Sequence, residues 1–188
     1  MKAETFQDFY QKLLADAFDA ENQLIKALPK MAKAATSNEL RSAFEEHLAQ
    51  TREHAARIEK IFGMNDLSPK RTKCKAMTGL IEEGEEVIKE FETGDLKDAA
   101  LISAAQKVEH YEIAGYGTLR TLASLLEETD AESLLEETLE EEKKADQKLN
   151  QLAGSINPEA LEGEPEEEEE LRQRKGGRIS TRDKQRVA

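Results

Sequence analysis

Apolar residues recur along this chain at intervals of three and four, and nowhere do they alternate with a period of two, so helices are the predicted elements throughout. Five segments follow from periodicity and start signals. The first is expected from about Thr5 to Ala35. The second opens at Thr36-Ser37-Asn38-Glu39, a T-x-x-E capping box, and runs to about Phe62, where Gly63 ends it. A polar loop with Pro69 leads to a shorter amphipathic helix over roughly Cys74 to Phe91, with Met77, Leu80, Gly84, Val87 and Phe91 on one side. Gly94-Asp95 restarts the chain into a long helix to about Glu127. Thr129-Asp130-Ala131-Glu132, a second capping box, opens the last helix, expected to end near Ala153. Pro29 removes a backbone donor inside the first helix and predicts a kink near Ile25. The pattern describes an all-α four-helix bundle of two hairpins, with an additional short helix between them.

The inward seams of the four long segments share one irregularity. The first seam reads Tyr10, Leu14, Ala17, Glu21, Leu24, Leu28, Met31, Ala35, and the second Leu40, Phe44, His47, Thr51, His54, Ile58, Ile61. The fourth segment gives Leu101, Ala105, Val108, Glu112, Gly115, Leu119, Leu122, Leu126. The last gives Leu135, Leu139, Glu142, Asp146, Leu149, Ala153. Each seam is apolar at both ends and polar in the middle. Turns near Thr36 and Thr129 bring Glu21 level with Thr51, and Glu112 level with Asp146. Glu21, the Gln50-to-His54 turn, Glu112 and the Glu142-to-Asp146 turn therefore meet at one depth. A lone Glu or His on a seam is ordinarily a structural hydrogen bond or a solvated groove. A cluster of buried carboxylates around an imidazole stays ionised only when cations neutralise it. Two ions would do so, and oxygen ligands with imidazole suit iron or manganese better than structural zinc.

The neighbours of that layer admit more than one role. Glu109, three before Glu112, is either an extra ligand or a solvent-facing acid. Gln50 can coordinate or orient His54, and His47 fits an outer neighbour or a core histidine as well as a ligand. Tyr116 can hydrogen-bond a ligand or simply pack. His110 lies off the seam, on the surface. Glu141 is expected in solvent unless the register shifts, which would exchange it with Glu142.

Charge narrows the classes of partner. Forty acids against 27 bases leave a formal charge of −13, which disfavours general nucleic-acid binding. The lone Cys74 allows no internal disulfide, the N-terminus shows no signal-peptide pattern, and no window approaches a bilayer span. A cytoplasmic protein with no membrane or nucleic-acid partner is the expectation. Residues 1–155 form the expected helical domain. Residues 156–188, with Pro158, Pro165, the run Glu166 to Glu170 and a basic end, are expected to be a disordered charged tail.

Five blocks carry a family resemblance: DAENQL (Asp19 to Leu24), HLAQTREHAARIE (His47 to Glu59), AMTGLIEE (Ala76 to Glu83), QKVEHYEIAGYGTLRTLA (Gln106 to Ala123) and LLEETLEEEKKAD (Leu134 to Asp146). Over about residues 4 to 153 the chain resembles the YciE/YciF-type ferritin-like proteins, which are bacterial stress-associated proteins. The resemblance implies a ferritin-like four-helix bundle with an extra helix, a homodimer and a rubrerythrin-like two-iron centre. It also matches Glu109-x-x-Glu112 to the paired glutamates of rubrerythrin's third core helix. With the seam argument this gives Glu21, His54, Glu109, Glu112, Glu142 and Asp146 as expected ligands, Glu109 strengthened by the resemblance, and Gln50, His47 and Tyr116 as candidate outer neighbours. One departure stands out: where such bundles carry Glu-x-x-His, this chain has Thr51 before His54 and Lys143 before Asp146. The expected activity is a ferroxidase or peroxide-consuming oxidoreductase using dioxygen or peroxide, with two iron ions, or manganese in their place. The alternative is a non-catalytic dimeric metal-binding or scaffold stress protein.

Overall fold

Thr5 starts the first helix through a reciprocal cap. Its hydroxyl accepts from the Asp8 N–H at 3.1 Å, and its own N–H donates to the Asp8 carboxylate at 3.2 Å. The computed structural model describes residues 4–65, 67–68 and 72–163. Pro69 and the chain from 164 onward, which includes the acidic run and the basic end, lie outside the described residues. The helices are α1 (Phe6–Ala34), α2 (Asn38–Met64), α3 (Lys75–Glu90), α4 (Asp95–Leu125) and α5 (Thr129–Glu162). No strand occurs among the described residues, and none of their helices is long and apolar enough to cross a membrane.

Four helices close a ring, each packed on the next in the order α1, α2, α5, α4, while α3 lies against α1 and α4. Two apolar blocks fill the ring. One holds Leu24, Leu28, Phe44, Met77, Leu101 and Leu149, and the other Tyr10, Leu14, Ile58, Leu119, Leu135 and Leu139. The polar layer lies between them.

Three local expectations are corrected. The cap of α2 is Ser37, not Thr36: its hydroxyl accepts from Leu40 N–H at 3.2 Å. Buried Asp98 of α4 takes the N–H groups of Thr36 and Ser37 at 2.8 and 2.6 Å, and the Thr36 hydroxyl accepts from Gly94 N–H. The box at Thr129 does not form. Glu127 adopts φ 60°, Thr129 is already helical, and the cap position falls to Glu128, whose side chain makes no capping bond. Finally, α5 runs through Gly154 and Pro158 to Glu162. Ile156 and Ala160 extend its buried stripe beyond Leu149, and Ile156 joins the core. Burial of that stripe offsets the backbone donor lost at Pro158. Pro29 likewise sits within a continuous α1.

Candidate metal centre

Each helix of the ring sends ionisable groups into the layer. From α1 comes Glu21; from α2 come His47 and His54, two turns apart on one face; from α4 come Glu109 and Glu112; from α5 comes Glu142. All six are buried. Their ligand atoms form two groups: His47, Glu109, Glu112 and Glu142, and then Glu21, His54 and Glu142. Within each group one ligand atom per residue lies within 4.8 Å of all the others. Glu142 belongs to both.

Short contacts define the geometry. His54 Nδ1 lies 2.9 Å from Glu142 Oε1 and 3.8 Å from Glu21 Oε1. His47 Nε2 lies 3.4 Å from Glu109 Oε1 and 3.8 Å from Glu142 Oε2. These are electrostatic approaches without hydrogen-bond angles. Nine of the eleven buried side-chain nitrogen and oxygen atoms lacking a hydrogen-bond partner, among the described residues, belong to these six side chains. Buried polar atoms are rarely left so. Such a concentration of aimed, unpaired oxygens and imidazole nitrogens fits divalent or trivalent cations.

The two groups differ in support. His54 Nε2 pairs with Glu141 Oε2 at 2.9 Å, and Arg57 holds Glu141 while donating to Thr138 at 3.1 Å and Glu137 at 2.8 Å. The Tyr116 hydroxyl donates to Glu21. Neither nitrogen of His47 has a hydrogen-bond partner.

Protonation follows the same division. Burial, then the charge of Glu142, pushes Glu21 up to about 8. Burial lowers the basicity of His54, but Glu142, Glu21 and Glu141 outweigh it and raise the imidazole to about 9. Burial depresses His47 below the usual imidazole range. Glu109 and Glu112 rise well above the carboxylate range, through burial first and neighbouring carboxylates second. Burial opposes ionisation of Glu142 too, yet His54 and His47 hold it below that range.

Of the residues singled out by sequence, Glu21, His54, Glu109, Glu112 and Glu142 are brought together, and His47 joins them as a potential ligand. Asp146 is not brought in. It is half-buried, 3.4 Å from His110 Nε2, and accepts from Gln106 at 3.3 Å and Asn150 at 3.1 Å. Four residues beyond Glu142, it lies about 6 Å further along α5 and about 40° round it, against Gln106 and His110 of α4. Gln50 is half-buried and lines an opening beside His47. Tyr116 is buried against Glu21. Sequence reasoning missed Arg57 and the anchoring role of Glu141. Arg57 lies one turn beyond His54, a spacing that signals a shared face, but its partner on α5 depends on how the two helices are rotated.

Among the described residues, openings reach the layer from two sides. One, of about 320 Å³, lies between α1 and α4, with Glu21, Glu112 and Tyr116 in its lining. The other, of about 170 Å³, lies between α2 and α5 and includes His47, Gln50, Glu109, Lys144 and Lys148.

A ring of helices around a buried carboxylate–histidine layer is thus the class that fold and site define, and comparison with known proteins places it. Residues 5–162 match the family described as a domain of unknown function, DUF892, and the chain belongs to that family. It is similar to Protein YciF of Escherichia coli strain K12, with 49% identity over 162 residues, covering 85% of this chain and 98% of that protein. The crystal structure of that E. coli stress protein superposes with a TM-score of 0.81 over 83% of this chain and 99% of its own. YcfI of Rhodopseudomonas palustris, provisionally described as a structural protein, gives 0.76 at 39% identity, over 78% and 94% of the two chains. A Xanthomonas campestris protein at 19% identity shares the fold, with a TM-score of 0.68 over 84% and 97%.

Proposed function

We propose that this protein is a ferritin-like di-metal protein that oxidises Fe(II) with dioxygen or peroxide in a stress response, working as a homodimer. The observation that carries this reading is the pair of ligand groups sharing Glu142, with their unpaired buried oxygens. The E. coli relative is called a stress protein, which supports the physiological setting.

The ligand residues would be Glu21, His54 and Glu142 on one side and His47, Glu109, Glu112 and Glu142 on the other. Two iron ions there would supply Lewis acidity and redox equivalents; manganese would suit the same oxygen-rich donors. The chain's own groups do the rest. Glu142 spans both halves. Glu141, held by Arg57, fixes the ring of His54 and leaves Nδ1 directed at the centre. Tyr116 holds one oxygen of Glu21 and leaves the other free. Glu109 and Glu112, whose affinity for protons is raised, release protons as cations enter and can take them back. The two apolar blocks limit the water reaching the layer.

Aerobic addition of Fe(II) to metal-free protein tests the activity. Oxidation faster than in buffer alone is expected; an equal rate would overturn the proposal. Elemental analysis should return two ions per chain, and protein from the native host decides between iron and manganese.

A second reading, a non-catalytic metal-binding or structural stress protein, draws on one observation. On α2, buried Thr51 stands three before His54 and bonds its own helix at 2.8 Å, while Glu53 is exposed. No carboxylate of α2 enters the layer, so Glu142 alone is common to both groups. Two bound ions with no acceleration of Fe(II) oxidation would favour this reading.

A further inference from the structure

The larger opening is built unlike the centre it reaches. It descends between α1 and α4 from half-exposed Phe9, past Leu13, Ala17 and Gly115, to Glu21 and Tyr116, which are 1% and 2% exposed. Its floor therefore lies inside the bundle. A Cβ at Gly115 would meet no atom within 4 Å. Glycine inside a helix costs about 1 kcal/mol relative to alanine, and no close backbone approach requires one at this position. What the missing side chain leaves is open space one turn from Glu112.

Size and charge select the occupant. A dry cavity of about 150 Å³ is enough for benzene, and ligand pockets run from about 300 Å³ upward, so 320 Å³ suits a small organic molecule. The lining holds three acids, Asp16, Glu21 and Glu112, and no Lys, Arg or His. An anion entering here would leave water for an apolar wall that offers no cationic side chain to pair with it. On the wall the Tyr111 hydroxyl donates to Asp16 at 2.8 Å. A ligand's single oxygen function could join that pair.

We propose that the pocket between α1 and α4 binds a neutral, mainly hydrocarbon molecule bearing at most one oxygen function, beside the centre. This deepens the di-metal reading and rests on it. The opening between α2 and α5, with Lys144, Lys148, Glu46 and Gln50, offers no comparable apolar wall.

The test uses the full chain and a neutral fluorescent probe, N-phenylnaphthylamine, with metal content and dimer fraction measured on the same preparations. Saturable binding is expected, displaced by decanol and at least about tenfold less readily by decanoate. Gly115→Leu and, as a second variant in case the first fails to fold, Ala17→Leu should weaken the probe by about tenfold or more as their side chains occupy the space. In Co(II)-loaded protein, decanol should shift the visible spectrum of the ion. Absence of saturable binding to folded protein, or indifference to either folded variant, would overturn the proposal. So would equal displacement by decanoate. If the wild type binds no probe and the variants split a dimer into monomers, the face is a contact between copies and the proposal falls. If metal loads and the probe does not bind, only the pocket assignment is lost. If the probe binds and no metal loads, the di-metal reading fails and the placement of the ligand beside a metal centre fails with it.

Discussion

The two halves of the buried layer solve one electrostatic problem differently. Around Glu21 and His54, positive charge is supplied from within the chain: the imidazole is raised to about 9, and Glu141 and Arg57 extend the pairing towards the surface. Around His47, Glu109 and Glu112 there is no such cation. Burial leaves that imidazole neutral and drives the two carboxylates to hold protons instead. A proton on nitrogen stands in for metal on one side, and protons on oxygen do so on the other. The lesson is that both halves give up protons to bind a cation, but only the Glu21/His54 half is held in place beforehand by hydrogen bonds with Glu141 and Tyr116.

The most severe way to break this comparison is to remove what the halves share. Glu142→Gln should abolish loading of both ions, lowering affinity by more than about 100-fold, beyond the loss typical of an outer hydrogen-bond partner. Calorimetric titration with Mn(II) checks it; loss of one ion alone would mean the carboxylate serves a single group. Next comes a contrast between the histidines in metal-free protein. His54→Ala leaves Glu142 and Glu21 uncompensated and should cost about 3–5 kcal/mol in urea unfolding. His47→Ala, which removes a neutral ring without hydrogen bonds, should cost roughly 1–2 kcal/mol, mainly as lost packing. Similar values for the two would erase the asymmetry.

Arg57→Ala sharpens it further. Metal affinity at the Glu21/His54 side should fall by about 10–100-fold, with the other ion little changed. The mildest effect concerns pH. Glu21 and His54 hold protons more tightly folded than unfolded. Their stabilisation is complete below 4.5 and 6.5 respectively and is lost as pH rises through about 8 and about 9. The Tm of metal-free protein should therefore decline between pH 6.5 and 9. Metal-loaded protein should not decline, because cations favour the deprotonated ligands.

Much of this layer was legible from periodicity alone. Glu21, Glu112 and Glu142 break apolar seams, and two hairpin turns suffice to set their common depth. Depth does not set azimuth. Asp146 stands one turn beyond Glu142, about 6 Å further along the helix and about 40° round it, and meets Gln106 and His110 instead. His47 was visible on its seam, but its membership depends on how far α2 is rolled towards Glu109. The pairing of Arg57 with Glu141 depends on the roll of α5 in the same way. At the end of α5 the misleading signal is the polar composition from residue 156 onward, which assigns Pro158 to the tail although Ile156 and Ala160 are still buried. The T-x-x-E pattern at Thr36 failed for a similar reason: a distant acid, Asp98, claimed the backbone donors that local capping would have used.

That acid has a consequence for how the molecule assembles. The turn of the first hairpin is finished by a residue that the ribosome delivers some sixty positions later, at separations of 62 and 61. A polypeptide released after α2 would expose those two amides to solvent, together with the inward stripe of both helices. The hairpins are thus halves of one cooperative unit, and the tie between them is drawn at the end of the bundle, away from the polar layer.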